Sequence, residues 1–397
     1  MKTEQRKWTQ SRGWSPRSAE SLAKSAQLVL VFGSVAVLRQ RRLTAAIRAE
    51  YSAAHIFGCS TAGEICGSHV LDDSLVVTAV QFDSTPIRSA QVKVGPAVAS
   101  FEAGEQIARQ LPLVVRDATT GVEDKLLHVL VMTDGLKVNG SAFVAGLMKH
   151  LPDGVSATGG MAGDGVRFGE TLVYRDGVAE TGAISALGLY GSRLKVGYGS
   201  LGGWDTFDTE WLITRSEANV LYELDGLPAL ALYKEFLGAG PAKGLPATGL
   251  LFPLSLRAEE DETPVVRTIL AVDEAAQSIT FAGDVPEGAY AQLMQANFSR
   301  LIDGATGAAR ICQQALPSSE PELALLISCV GRRLVLKERV DEEVRAVNNV
   351  LGGSATLAGF YSYGEISPFT PGARCELHNQ TMTITTFSER EEPFKAA

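Results

Sequence analysis

No CxxC pair occurs in the chain; its five cysteines are scattered, and Cys59 and Cys66 stand too far apart for a zinc knuckle. That spacing excludes a zinc ribbon or a disulfide framework as the basis of the fold. Free thiols fit a reducing cytoplasm, which is the expected location. Positive charge is scarce: 36 Lys and Arg against 45 Asp and Glu leave a net charge of −9. This is the wrong sign for neutralising phosphates, so no nucleic-acid partner is expected. Basic residues gather only in the first 17 positions and at Arg39 to Arg42, read as a solvated tail and a solvated helix face. Long apolar runs are missing too. Leu126 to Met132 has the length of a buried strand, so no membrane partner is expected. Lys2, Arg6 and Lys7 lead into the polar stretch Trp8 to Trp14, which is no signal peptide. Walker A is absent. The glycines of Gly159 to Gly165 run Gly-Gly-x-x-Gly-x-Gly into turn and strand, so they make no dinucleotide fingerprint. They read as a tight turn that lets backbone approach another element.

What remains is an ordinary globular composition, 45% hydrophobic and 20% charged over 397 residues. That length gives two domains and a sizeable core without metal or disulfide staples. Residues 1–14 read as a disordered tail, and Ser15-Pro16 as the start of a helix with its apolar face on Ala19, Leu22, Ala23 and Ala26. Leu28 to Phe32, Leu126 to Met132 and Leu323 to Val330 are continuous apolar runs, hence buried strands. Helices are expected over Ala36 to Tyr51, Phe101 to Leu111, Ser141 to His150, Ala289 to Leu301, Ala305 to Ala315 and Asp341 to Leu351. The fold class is α/β in the broad, mixed α+β sense: mixed β-sheets with flanking helices, with four-layer αββα packing as the first guess. The glycines of 199–208 mark a boundary between 15–203 and 204–397. The two halves share a layout of strands and interleaved helices, as an old duplication would leave.

The richest stretch is Leu357 to Thr386, two alternating runs around a Pro/Gly turn. Tyr361, Tyr363 and Glu365 share one strand face. On the other run, His378, Gln380 and Met382 share one face and Asn379, Thr381 and Thr383 the opposite one. So many polar-tipped side chains on strands make either a satisfied polar core or one wall of a ligand site.

The ordered blocks Gly58-Cys-Ser-Thr-Ala-Gly-Glu-Ile65, Met132 to Gly135, Gly159 to Asp164, Leu224 to Leu230 with Tyr233, Val265 to Arg267, Val285 to Gly288, Cys329 to Arg332, Gly359 to Ile366 and His378 to Thr383 together resemble the FIST family (F-box and intracellular signal transduction proteins). The resemblance spans about Leu28 to Phe387 and covers both FIST regions, packed together. It implies a ligand sensor. With no kinase, cyclase or receiver pattern beside it, the chain is similar to the stand-alone, haem-binding, nitric-oxide-sensing FIST proteins (NosP type). The resemblance then implies haem b and nitric oxide as ligands and a separate histidine kinase as partner, with effects on phosphorelay and biofilm behaviour. A homodimer is compatible with it.

On that reading His378 is the proximal iron ligand and Glu365 orients its ring; His55 is the alternative ligand. Nitric oxide on the iron weakens the opposite bond, and the strand pair carrying His378 shifts. Arg267 and Arg332 are the propionate partners, and Cys329 is a candidate thiolate ligand or redox switch. A haem-free alternative keeps the sensor and gives Arg267, Arg332, Tyr361, Tyr363 and Asn379 an amino acid or other small carboxylate. A third reading makes Cys59 a hydrolase nucleophile. Its nearest base in sequence, His55, is four residues off, about 13 Å along an extended strand, so the chain is expected not to be an enzyme.

Overall fold

The computed structural model describes residues 1–15, 21–95, 99–116, 121–258, 264–316, 320–370 and 372–389. Of the helix expected from Ser15-Pro16 onward, residues 16–20 lie outside the described residues; the rest of its apolar face, Leu22, Ala23 and Ala26, lies in and beside a turn and is not helical. Lys2 to Thr9 is not a tail but a strand, paired antiparallel along its whole length with Ser74–Gln81. Its polar alternation is structural: Glu4 accepts the Leu22 N–H at 2.7 Å, and Arg6 pairs with Glu50 at 3.0 Å and stacks on Trp14.

The strands repeat one arrangement three times. In the first unit, Leu28–Gly33 lies between the parallel strand His55–Ser60 and the antiparallel strand Ser74–Gln81, with Lys2–Thr9 outermost. In the second, Glu123–Thr133 lies between Ser156–Met161 and Ala183–Tyr190, with Ile87–Lys93 outermost. In the third, Leu323–Cys329 lies between Thr356–Ser362 and Met382–Ser388, with Lys195–Leu201 outermost. Helices connect each parallel pair, as parallel strands require: Arg41–Glu50, Gly140–His150, and Val330–Leu336 with Val340–Val350.

Each unit also lends a hairpin to the sheet of another. Glu64–Cys66 with His69–Leu71 joins the third unit's sheet, beside Thr356–Ser362. Gly364–Pro368 with Cys375–His378 joins the second, beside Ser156–Met161. Val173–Arg175 with Val178–Glu180 joins the first, beside His55–Ser60. The exchange closes a ring: first to third, third to second, second to first. So the architecture is mixed α+β, but with three sheets around one core in place of four layers, and three units in place of two halves.

Burial follows the period of two. Leu28, Leu30 and Phe32, Leu130 and Met132, and Leu323, Leu325 and Ile327 all enter one cluster shared by the three sheets, where Phe32 meets Phe360 at 4.8 Å. The alternate residues Val29 and Val31 face their own helix residues Leu43 and Ile47. Val129 and Val131 likewise face Phe143 and Leu147, and Leu326 faces Val344 and Val347. Strands buried on both faces explain the unbroken apolar runs. Each second strand carries a glycine opposite the middle of the first. A Cβ on Gly58, Gly159 or Gly359 would stand 1.7, 1.9 or 1.8 Å from the carbonyl oxygen of Val31, Val131 or Leu326.

The third unit holds an insertion, residues 204–296, with its own sheet and its own core around Ile213, Leu254, Phe281 and Leu293. The glycine-rich boundary therefore opens this module and not the whole C-terminal half: residues 297–389 return to complete the first body. Tyr290–Ala296, expected to be helical, is a module strand, and the helix starts after it, at Phe298.

Candidate functional site

A cavity of about 170 Å³ lies in the seam between module and body. Ser255, Pro264, Val266 and Met294 line it from the module; Gly202, Gly203 and Trp204 from the crossing into it; and Phe369, His378, Asn379 and Thr381 from the third unit's hairpin and the bend after it. The strand expected through His378 to Met382 stops at His378, and Gln380 takes a φ of +64°. The alternation is therefore broken. His378, Asn379 and Thr381 all line the cavity, while Gln380 turns toward Leu250, donating to its carbonyl at 3.1 Å.

His378 is buried, with its ring edge-on to Phe369. Its Nε2 sits 2.7 Å from the carbonyl oxygen of Ser367, an atom that can only accept, so Nε2 carries the proton. Burial lowers the ring's pKa to about 4, keeping it neutral at pH 7. Nδ1 is then a bare acceptor, and it has no partner. A buried unsatisfied acceptor is costly; a ligand that donates to it recovers that cost.

Of the other expected site residues, Asn379 lines the cavity and the rest are bonded elsewhere in the protein. Glu365 does not orient His378. It accepts from Ser362 Oγ at 2.5 Å and from Thr381 N and Oγ1 at 3.2 and 3.0 Å, and burial raises its pKa to about 8. Arg332 is fully buried on Glu343 at 2.8 Å and donates to the carbonyls of Gly202 and Leu301. Tyr361 donates to the same Glu343 at 2.5 Å, and Tyr363 donates to Asp164. Arg267 donates to the carbonyls of Asp284, Val266 and Leu377, stapling the module to the hairpin. Asn379 bridges the seam, accepting from Thr268 N at 3.2 Å and donating to Tyr363 O at 3.3 Å. Cys329 is fully buried, and desolvation pushes its thiol up to about 12, so it stands as the neutral thiol at pH 7. His55 begins the strand that Cys59 nearly ends, with Asp176 among its charged neighbours, so it takes no part in the seam. Cys59 is fully buried beside Met132 at 3.9 Å, with burial raising its pKa.

This seam does not fit a haem. Pockets for drug-sized molecules run to about 300–1,000 Å³, and a haem is no smaller than such a molecule. His378 keeps Nδ1 bare, so the ring itself does not rule out a metal; the small volume rules out the haem, and Arg332, the expected propionate partner, is sealed against Glu343. Among the described residues no group of three or more His, Cys, Asp or Glu is placed to hold a metal ion, and no helix is long and apolar enough to cross a membrane. Sequence reasoning named one module residue at the seam, Arg267, and missed the cavity-lining Ser255 and Met294. Neither belongs to a block with polar pattern, and only the tertiary fold brings them to His378.

Comparison with known proteins agrees with the resemblance. The FIST N domain matches residues 27–227 and the FIST C domain residues 229–368. An uncharacterized protein of Mycobacterium tuberculosis (strain H37Rv), Rv0628c, is 25% identical over 355 residues, 87% of this chain and 86% of that one. An uncharacterized protein of Mycobacterium bovis, Mb0898c, is 26% identical over 256 residues, covering 60% and 62%.

Proposed function

The chain belongs to the FIST family, whose domains are associated with signal-transduction sensing, and from that premise we propose that it senses a small, haem-free ligand bound in the module seam. The observation that carries this is the unpartnered Nδ1 of buried His378, a residue that lines a cavity walled by both module and body. The ligand is of amino-acid size and presents an N–H or O–H donor to Nδ1, with an apolar part against Met294, Val266 and Phe369. This keeps the sensor and the small ligand of the haem-free reading, and moves recognition from the arginines to His378. Because the cavity has walls on both bodies, occupancy favours their closed arrangement. That differential affinity is what a signal requires. A haem with nitric oxide, acting on a histidine kinase, is the reading the resemblance brings; the small volume of the seam argues against it.

The test is a thermal-shift screen of amino acids and small amides and alcohols on wild type and His378→Leu. One compound should raise the melting temperature of wild type in a concentration-dependent way and leave the variant unmoved. Equal shifts in both proteins would remove His378 from recognition. A hemin titration runs beside it: a Soret band that is lost in His378→Ala would restore the haem reading.

A further inference from the structure

A second and larger cleft, about 710 Å³, opens elsewhere on the body. The parallel strands of the three units end together. Ser60 Oγ donates to Gly163 O, Ala62 N to Tyr361 O, and Tyr363 N to Met161 O, at 2.8, 2.8 and 3.2 Å. In open α/β sheets the crevice outside the carboxyl ends of the parallel strands is where ligands bind. Here each unit supplies a wall: Ala62 from the first, the turn Gly165 to Arg167 from the second, and the helix Val330–Leu336 with Lys337 from the third.

These walls are fixed. Asp164 accepts the N–H groups of Phe168, Gly169 and Glu170 at 2.9, 2.9 and 3.0 Å, and Phe168 stacks on Tyr363, so the turn bearing Arg167 is tied down at both ends. Arg333 donates to Ala62 O and lies over the Tyr361 ring. The first unit leaves room for it, since a Cβ on Gly63 would stand 2.4 Å from its Nη1.

The charges in the cleft are unequally used. Asp341 is taken by Val70 N at 2.8 Å and His69 at 3.1 Å, and Asp72 by Arg333 at 2.6 Å. The side chains of Arg167 and Lys337 make no hydrogen bond or ion pair among the described residues, against one carboxylate likewise unpaired, Glu338. Lys337 moreover holds φ at +49° and ψ at −120°, a strained conformation for any residue but glycine. Its side chain is exposed. Val70, Val166, Leu334 and Val340 supply apolar surface between the charged groups.

We propose that this cleft is a second ligand site, separate from the seam, for an organic anion with an apolar body, its acidic group held between Arg167 and Lys337. The acid is a carboxylate or a phosphate monoester; both pair with these cations.

The probe is anilinonaphthalene sulfonate, an aromatic anion that fluoresces on binding, with phenylacetate, phenyl phosphate and benzylamine as competitors on the full chain. Saturable binding at one site is expected, weakened about fivefold in each of Arg167→Gln and Lys337→Gln and more in the double variant. His378→Leu should bind the probe as wild type does, which separates this site from the seam whatever the outcome there. Stronger competition by phenylacetate or by phenyl phosphate identifies the acid. Both substitutions are exposed, and unchanged far-UV circular dichroism checks that the fold is intact. Competition by benzylamine equal to that of the anions, or wild-type affinity in the double variant, overturns the proposal.

Discussion

Glu365 shows how a residue legible as polar and important in the sequence takes a different role in the fold. Three donors surround its carboxyl group, and Ser362 Oγ also lies 3.3 Å from Ser328 O. A protonated Glu365 can therefore donate to Ser362, whose hydroxyl turns onto that carbonyl. Burial, the largest influence, raises the pKa to about 8, whereas an unfolded glutamate ionises near 4.3. Between those values the folded state binds the extra proton, so stability falls as pH rises through this window. Glu365→Gln keeps the shape and a donor for Ser362 and removes the titration. Urea midpoints of variant and wild type should coincide near pH 4.5, and the variant should be the more stable above pH 8, by on the order of a few kcal/mol. A constant difference across that range would mean that Glu365 is ionised in the fold. His378 was legible as a site candidate because a lone histidine sat in a polar block. Which ring nitrogen is free was not, because that depends on Ser367, eleven residues away across a hairpin.

At the level of elements, the sequence announced what two-sided burial dictates and hid what pairing dictates. Leu28 to Phe32, Leu126 to Met132 and Leu323 to Val330 are legible because both faces must be apolar. Lys2–Thr9 is not, because a strand near the sheet's edge can carry Glu4 and Arg6 and pair each with one partner, the Leu22 N–H and Glu50. The three strand glycines belong to the same level. Gly359→Ala places a methyl 1.8 Å from Leu326 O, a backbone atom that cannot move without breaking the pairing of Leu323–Cys329 with Thr356–Ser362. Soluble yield and far-UV circular dichroism should show no folded protein for Gly359→Ala, nor for its counterparts Gly58→Ala and Gly159→Ala. Gly240→Ala, which meets nothing within 4 Å, is the control and should match wild type. A folded Gly359→Ala protein would mean that these strands do not approach as closely as described.

For the molecule as a whole, the hairpin exchange makes the three units one cooperative body. The boundary at 203 was visible as a glycine cluster, but nothing local in the sequence says that Gly364–Pro368 completes a sheet begun by Ser156–Met161, some two hundred residues earlier. Such a contact has no periodic signature; it exists only once the ring closes. The consequence is that the N-terminal FIST region should not fold alone. In a fragment of residues 1–203 the hairpin Glu64–Leu71 loses the strand that hosts it, Thr356–Ser362, and the second sheet loses the hairpin Gly364–His378. Inner-face residues such as Phe32 and Met132 lose Ile327 and Phe360. Exposing that shared core forfeits roughly 1.5–3 kcal/mol for each large apolar side chain, several times over, against a total stability of about 5–15 kcal/mol. The module has the opposite standing, with its own core and two crossings into the body, at Gly202–Trp204 and Asn297. Replacing residues 204–296 by a short linker should therefore leave a folded body with a cooperative urea transition, while the 1–203 fragment gives no such transition and weak dispersion in its proton NMR spectrum. A well-dispersed 1–203 spectrum would show that the first two units close without the third, and that the exchanged hairpins are not what holds the ring together.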